Sequence, residues 1–106
     1  MARSGLVCVD RSISSRDALS RLLKIVGRMG LDRVVEVRGG GRWARVVLRL
    51  DNGTIAVEAL ADRGLLALSL SSDSVEVAEL SLLARRMMRL ILSTRRCRRL
   101  WILPAV

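Results

Sequence analysis

Between Ser14 and Gly30 the apolar residues Ala18, Leu19, Leu22, Leu23, Val26 and Met29 recur every three to four positions. That period predicts a helix with one broad buried face, and Arg16, Ser20, Lys24 and Arg28 form its wet side. Ser14 with Asp17 three residues on resembles a capping box, and Gly30 is placed to end the helix as a C′ glycine. From Val35 to Leu70 the period falls to two, the spacing of half-buried strands.

The turns in this stretch predict registers. Asn52-Gly53 reads as a two-residue type I′ turn, pairing Leu50 with Ile55 and Leu48 with Val57. A turn at Asp62-Arg63 pairs Ala59 with Leu66, Val57 with Leu68 and Ile55 with Leu70. A loop at residues 39–42 pairs Arg38 with Trp43 and Glu36 with Arg45, which puts Val35 and Val37 on the core face beside Val46 and Leu48. All three turns give the same apolar face, and a one-residue slip in any of them would break it.

A second helix is predicted after Asp73, its candidate N-cap, with Glu76 and Glu79 where the helix dipole favours anions. Val77, Leu80, Ala84, Met87 and Ile91 form its core stripe. Leu83, Met88, Leu90 and Leu92 widen that stripe, so a second copy of the chain is expected against this helix. Ser93-Thr94 marks its end. Residues 1–13 read as a strand (Leu6 to Asp10) or an extended arm, and residues 95–106 as a basic tail ending in a strand-like run, Leu100 to Leu103. The expected fold is α+β over residues 1–106 as one domain. It is a four-stranded antiparallel meander sheet with two helices packed on one face, forming a homodimer or tetramer through the second helix.

Composition narrows the chemistry. The 106 residues contain no His, Tyr or Phe, which excludes triads, His-based acid–base catalysis and mixed Cys/His zinc sites. No carboxylate pair has the spacing of a catalytic or two-metal site, so neither an enzyme nor a metal or other cofactor is expected. Cys97 lies among arginines that would lower its pKa, but it has no base or acid partner for nucleophilic work. Cys8 and Cys97 are expected as free thiols, Cys8 buried in a strand; a disulfide stays open as the alternative, since the cytosol of hyperthermophiles permits one. The near-absence of Asn and Gln fits a thermophile, and high-GC codon bias accounts equally well for the arginine excess. With no signal peptide and no apolar run long enough to cross a bilayer, a cytoplasmic protein without membrane contact is expected.

Charge supplies the functional signal. Residues 1–79 hold 12 basic and 10 acidic residues, a net of +2, whereas residues 80–106 hold seven Arg and no acid, a net of +7. Arg85, Arg86, Arg89, Arg95, Arg96, Arg98 and Arg99 make up that cluster. Such self-repulsion calls for an anion, and nucleic acid is the abundant polyanion that arginine binds bidentately. The non-core sheet face adds Arg38, Trp43, Arg45 and Arg49, with Arg42 in the glycine-rich loop before Trp43. Arginines beside one aromatic suit phosphate contact and base stacking, while Trp43 equally suits a packed subunit interface. With only two Trp and no other aromatic, affinity would be chiefly electrostatic and unselective for sequence.

The order helix, four-stranded meander, long helix and Arg-rich late segment, over about residues 14–99, resembles the ThermoDBP-related single-stranded DNA-binding proteins of hyperthermophilic archaea. The resemblance implies an archaeal protein that grips single-stranded DNA or RNA in a basic and apolar cleft and associates through helices. The chain differs in having few aromatics and too few heptads for a terminal zipper. Val57 to Leu92, two strands and then an apolar helix carrying Arg, also resembles the end of the small dimerising subunit of the KEOPS tRNA-modification complex. That likeness implies a protein-interaction subunit of a larger assembly.

Overall fold

The computed structural model describes residues 1–28, 34–92 and 97–103, with side chains as far as Arg98. Among these residues the chain runs β1 (Ala2–Val9), α1 (Ser15–Arg28), β2 (Val34–Gly39), β3 (Trp43–Leu50), β4 (Gly53–Asp62), β5 (Leu65–Ser72), α2 (Val77–Ile91) and β6 (Cys97–Leu103). The fold is α+β, with one antiparallel sheet of six strands rather than four, in the order β2-β3-β4-β5-β1-β6. The N-terminal segment and the apolar run of the tail are the added strands. β1 inserts between β5 and β6, a pairing that no local turn announces.

That order explains the helices. β1 and β2 run parallel, as do β5 and β6, and parallel strands need a long crossover, usually helical. α1 and α2 are those crossovers, and they lie side by side on one face of the sheet. Leu22 and Val26 of α1, and Leu80, Ala84, Met87 and Ile91 of α2, are buried with Val46, Val57, Leu68 and Leu70 in one apolar cluster. Ser14 Oγ accepts a hydrogen bond from the Asp17 backbone N–H at 3.1 Å, the cap the sequence announces. Met29, Gly30, Ser93 and Thr94 lie outside the described residues.

Three registers move by two residues, so each strand keeps its predicted face. The turns are Asp51-Asn52, which leaves Leu48 opposite Ile55, and Arg63-Gly64, which sets Val57 opposite Leu70. Arg63 and Gly64 both have positive φ, 47° and 82°, the geometry of a type I′ turn, so glycine is needed here rather than at residue 53. Gly53 instead opens β4, where an added Cβ would collide with Ser74. Across the first hairpin Arg38 pairs with Arg45, not Trp43, and a bulge follows between Val34 and Glu36. β2 is an edge strand beyond the helix layer, so Val35 and Val37 are exposed, Val37 by 56%, instead of being core.

α2 starts three residues later than predicted, and Asp73 does not cap it. The N-cap is Glu76, with no side-chain cap bond. Buried Ser72 preempts the segment: its Oγ donates to the Thr54 carbonyl at 2.7 Å and accepts from the Ser74 and Val75 N–H groups at 3.1 and 3.0 Å. At the other end, Arg21 Nη1 donates to the Ile91 carbonyl at 3.0 Å, satisfying a C-terminal acceptor of α2 from α1. Cys8 and Cys97 face each other across β1 and β6 and form a disulfide, so the free-thiol expectation is corrected; Cys8 is buried, as expected.

Candidate nucleic-acid interface

The sheet face opposite the helices is open. Antiparallel partners share a face, so the pairings order it into rows. One row reads Trp43, Leu60, Ala67, Val7, Arg98 from β3 to β6. The next reads Arg38, Arg45, Glu58, Ser69, Gly5, and a third Glu36, Val47, Ala56, Ser71, Arg3. Arg49 lies opposite Thr54 beyond these. The middle of the face is built from Ala, Ser and Gly, which leaves it low. Leu60 and Trp43 stand on it exposed, 63% and 44%, with Leu65 and Val9 exposed near the β4–β5 turn. At strand spacing the row from Trp43 to Arg98 spans about 19 Å.

Trp43 is seated by a glycine. An added Cβ on Gly40 would fall 2.6 Å from the indole Nε1, so the β2–β3 loop can pass against the ring only with no side chain there. The Gly40 N–H also donates to the Trp43 carbonyl at 3.0 Å. The loop therefore covers part of the indole and orients the rest. Nothing in the sequence pattern singles out Gly40 among three consecutive glycines; only the approach of the ring does.

The arginines of this region are partly neutralised. Arg38 Nε lies 2.7 Å from Glu36, Arg42 Nη1 3.5 Å from Asp62, and Arg45 Nη1 2.8 Å from Glu58. These pairs are exposed, where an ion pair contributes at most about 1 kcal/mol and exchanges partners readily. Arg3, Arg49 and Arg98 have no ion-pair partner among the described residues and share the open face.

The charge cluster of the late sequence is split by the fold. Arg85, Arg86 and Arg89 lie exposed on the outer side of α2, across the molecule from Trp43, and have no ion-pair partner among the described residues. Arg98 belongs to the sheet face. Arg95 and Arg96 lie outside the described residues, and Arg99 is placed only by its backbone register against Leu6. The site therefore comprises Arg38, Trp43, Arg45, Arg49 and Arg98, with Arg42 at its rim. Arg3 joins it, missed because β1 was expected to begin only at Leu6. The alternation of Ala2, Arg3, Ser4 was the available signal.

Among the described residues no three Cys, Asp or Glu side chains gather as metal ligands, and no helix is long and apolar enough to cross a membrane. No family model matches the chain, and no curated protein or solved structure matches it either.

Proposed function

We propose that the chain binds single-stranded nucleic acid, with little sequence preference, across the open face of the sheet. The observation that carries this reading is the row from seated Trp43 to Arg98, flanked by Arg3, Arg38, Arg45 and Arg49. A flat, low surface admits an unpaired strand whose bases lie on the apolar row while phosphates meet the arginines. The exposed Arg38–Glu36 and Arg45–Glu58 pairs are weak enough to exchange a carboxylate for a phosphate. The resemblance of the helix, four-stranded meander and helix in the sequence to the ThermoDBP-related proteins implies the same activity. Fluorescence anisotropy of labelled single-stranded DNA, single-stranded RNA and duplex DNA at two salt concentrations tests it. Salt-sensitive binding that favours the single strands supports the reading; no binding to any of them at low salt ends it.

A second reading is favoured by exposed apolar surface. Leu60, Leu65 and Val9 on the sheet, and Leu82 and Leu90 on α2, are all exposed leucines or valines suited to a protein partner. On α2 that partner would be a second copy, giving a homodimer; on the sheet, a subunit of a larger assembly. Binding that changes little with salt would favour this reading over the first.

A further inference from the structure

The two residues of the Cys8–Cys97 disulfide sit in unequal surroundings. Cys8 is fully buried on the helix side of β1, whereas Cys97 is exposed at the start of β6. β6 is an edge strand, and its one sheet neighbour is β1. Its ladder is interrupted: the register shifts between Gly5 and Leu6, leaving residues 6–8 against 97–99 and residues 3–5 against 101–103. Two short runs on an edge make a weak, easily frayed pairing. The crosslink is therefore what pins the start of this strand, and Arg98 stands next to it in sequence.

We propose that the disulfide is a redox latch on β6: reduction by a dithiol frees the strand from β1 and withdraws Arg98 from the end of the open-face row. The strand release stands on the geometry alone; its consequence for binding rests on the nucleic-acid reading above. Cys97, the exposed residue of the pair, is the point of attack, because exchange rates depend on access. A thiolate of the reductant bonds to Cys97 Sγ as the Cys8–Cys97 bond breaks, and Cys8 leaves as a thiolate that takes up a proton in its apolar site. The reductant's second thiolate then attacks its own sulfur in the mixed disulfide and expels Cys97, which is protonated in turn. Two electrons and two protons pass to the protein, and the dithiol becomes a disulfide. The reverse exchange with a small-molecule disulfide, which is itself reduced to its thiols, re-forms the Cys8–Cys97 bond and restores the latch.

The test measures amide hydrogen exchange and oligothymidine anisotropy on the oxidised protein, on the protein in dithiothreitol and after reoxidation. The Cys8→Ser/Cys97→Ser variant serves as the permanently open form. In the reduced protein, exchange should rise about tenfold or more in β6 and in the β1 amides facing it, with β3, β4 and β5 unchanged. Oligonucleotide affinity should fall roughly threefold or more for the loss of the Arg98 end, and recover on reoxidation. Equal exchange in β6 in both redox states would overturn the latch. So would loss of protection throughout β3–β5, which would make the disulfide a staple for the whole fold. Released β6 with unchanged affinity would overturn the link to the binding row. If the oxidised protein binds no oligonucleotide, the functional reading fails, and exchange still decides the latch.

Discussion

The two outer surfaces of the molecule carry arginine in different states. On and beside the open sheet face, Arg38, Arg42 and Arg45 each sit within 2.7 to 3.5 Å of a carboxylate. On the outer side of α2, Arg85, Arg86 and Arg89 have no ion-pair partner among the described residues and are flanked by exposed Leu82 and Leu90. The sheet offers shape, an oriented aromatic and a mixture of paired arginines with Arg3, Arg49 and Arg98, which have no ion-pair partner among the described residues; the helix offers unpaired charge and isolated apolar side chains. A count of basic residues along the chain hides this difference. A run that is continuous in sequence is divided between opposite sides of the fold once α2 ends and β6 joins the sheet.

The largest effect is expected where α2 turns inward. Leu80 is fully buried against the sheet. Leu80→Ala should cost ~2–5 kcal/mol by chemical denaturation, because the cavity adds to the lost transfer energy. Leu82→Ala, two residues away and 65% exposed, should stay within about 0.5 kcal/mol of the parent. Equal losses would mean that Leu82 is covered, by a second copy, and sedimentation of the two variants would show it.

The next test sets the two surfaces directly against each other. Arg49→Ala with Arg98→Ala should weaken single-strand binding about tenfold at low salt and flatten its salt dependence by roughly 1.4 in log–log slope, two phosphate contacts at about 0.7 each. Arg85→Ala with Arg86→Ala should leave both unchanged. The opposite pattern would move the site to the helix layer and leave Trp43 without a role in binding.

Most of the fold was legible in the sequence where its cause is local. The three–four spacing of Ala18, Leu22 and Val26, and of Leu80, Ala84 and Met87, reports the buried faces of both helices. The faces of β3, β4 and β5 were legible because strand side chains repeat every two residues, so a two-residue error in register leaves Val46, Val57 and Leu70 on the core side. What was not legible is non-local. β1 reaches β5 and β6 without a hairpin, and Cys8 meets Cys97 across 89 residues only because those strands become neighbours. Val35 and Val37 alternate like core residues, yet the helices end before β2 and leave Val37 exposed. In the candidate site, Arg45 and Trp43 were legible from alternation on β3. The Glu36–Arg38 pair joins same-face neighbours on β2 and depends on no turn, whereas the Asp62 carboxylate that faces Arg42 depends on a β3–β4 register that the sequence placed two residues away.

The ion pairs on the sheet supply a finer test of the contrast. Glu58→Gln keeps the shape of the side chain and removes the charge that holds Arg45. Because the pair is exposed, stability should change by less than about 1 kcal/mol. Affinity for a single strand should rise a few-fold at low salt, as Arg45 no longer leaves a carboxylate to meet a phosphate. Unchanged affinity in titrations of the variant would place Arg45 outside the path of the strand.

The effect most specific to the site is expected at the seat of the tryptophan. Gly40→Ala sets a methyl group 2.6 Å from the present position of Trp43 Nε1, so either the indole or the exposed β2–β3 loop must shift. The loop is free to give, and the change in stability should be within about 1 kcal/mol. The ring loses its orientation, however, and single-strand affinity should fall by up to the ~1–3 kcal/mol that one stacked base contributes, without any change in the salt slope. Trp43→Ala should produce the same loss, and combining the two substitutions should add nothing further. A double variant weaker than either single one would show that Gly40 serves the loop rather than the ring, and that the sheet presents an arginine surface on which the aromatic is incidental.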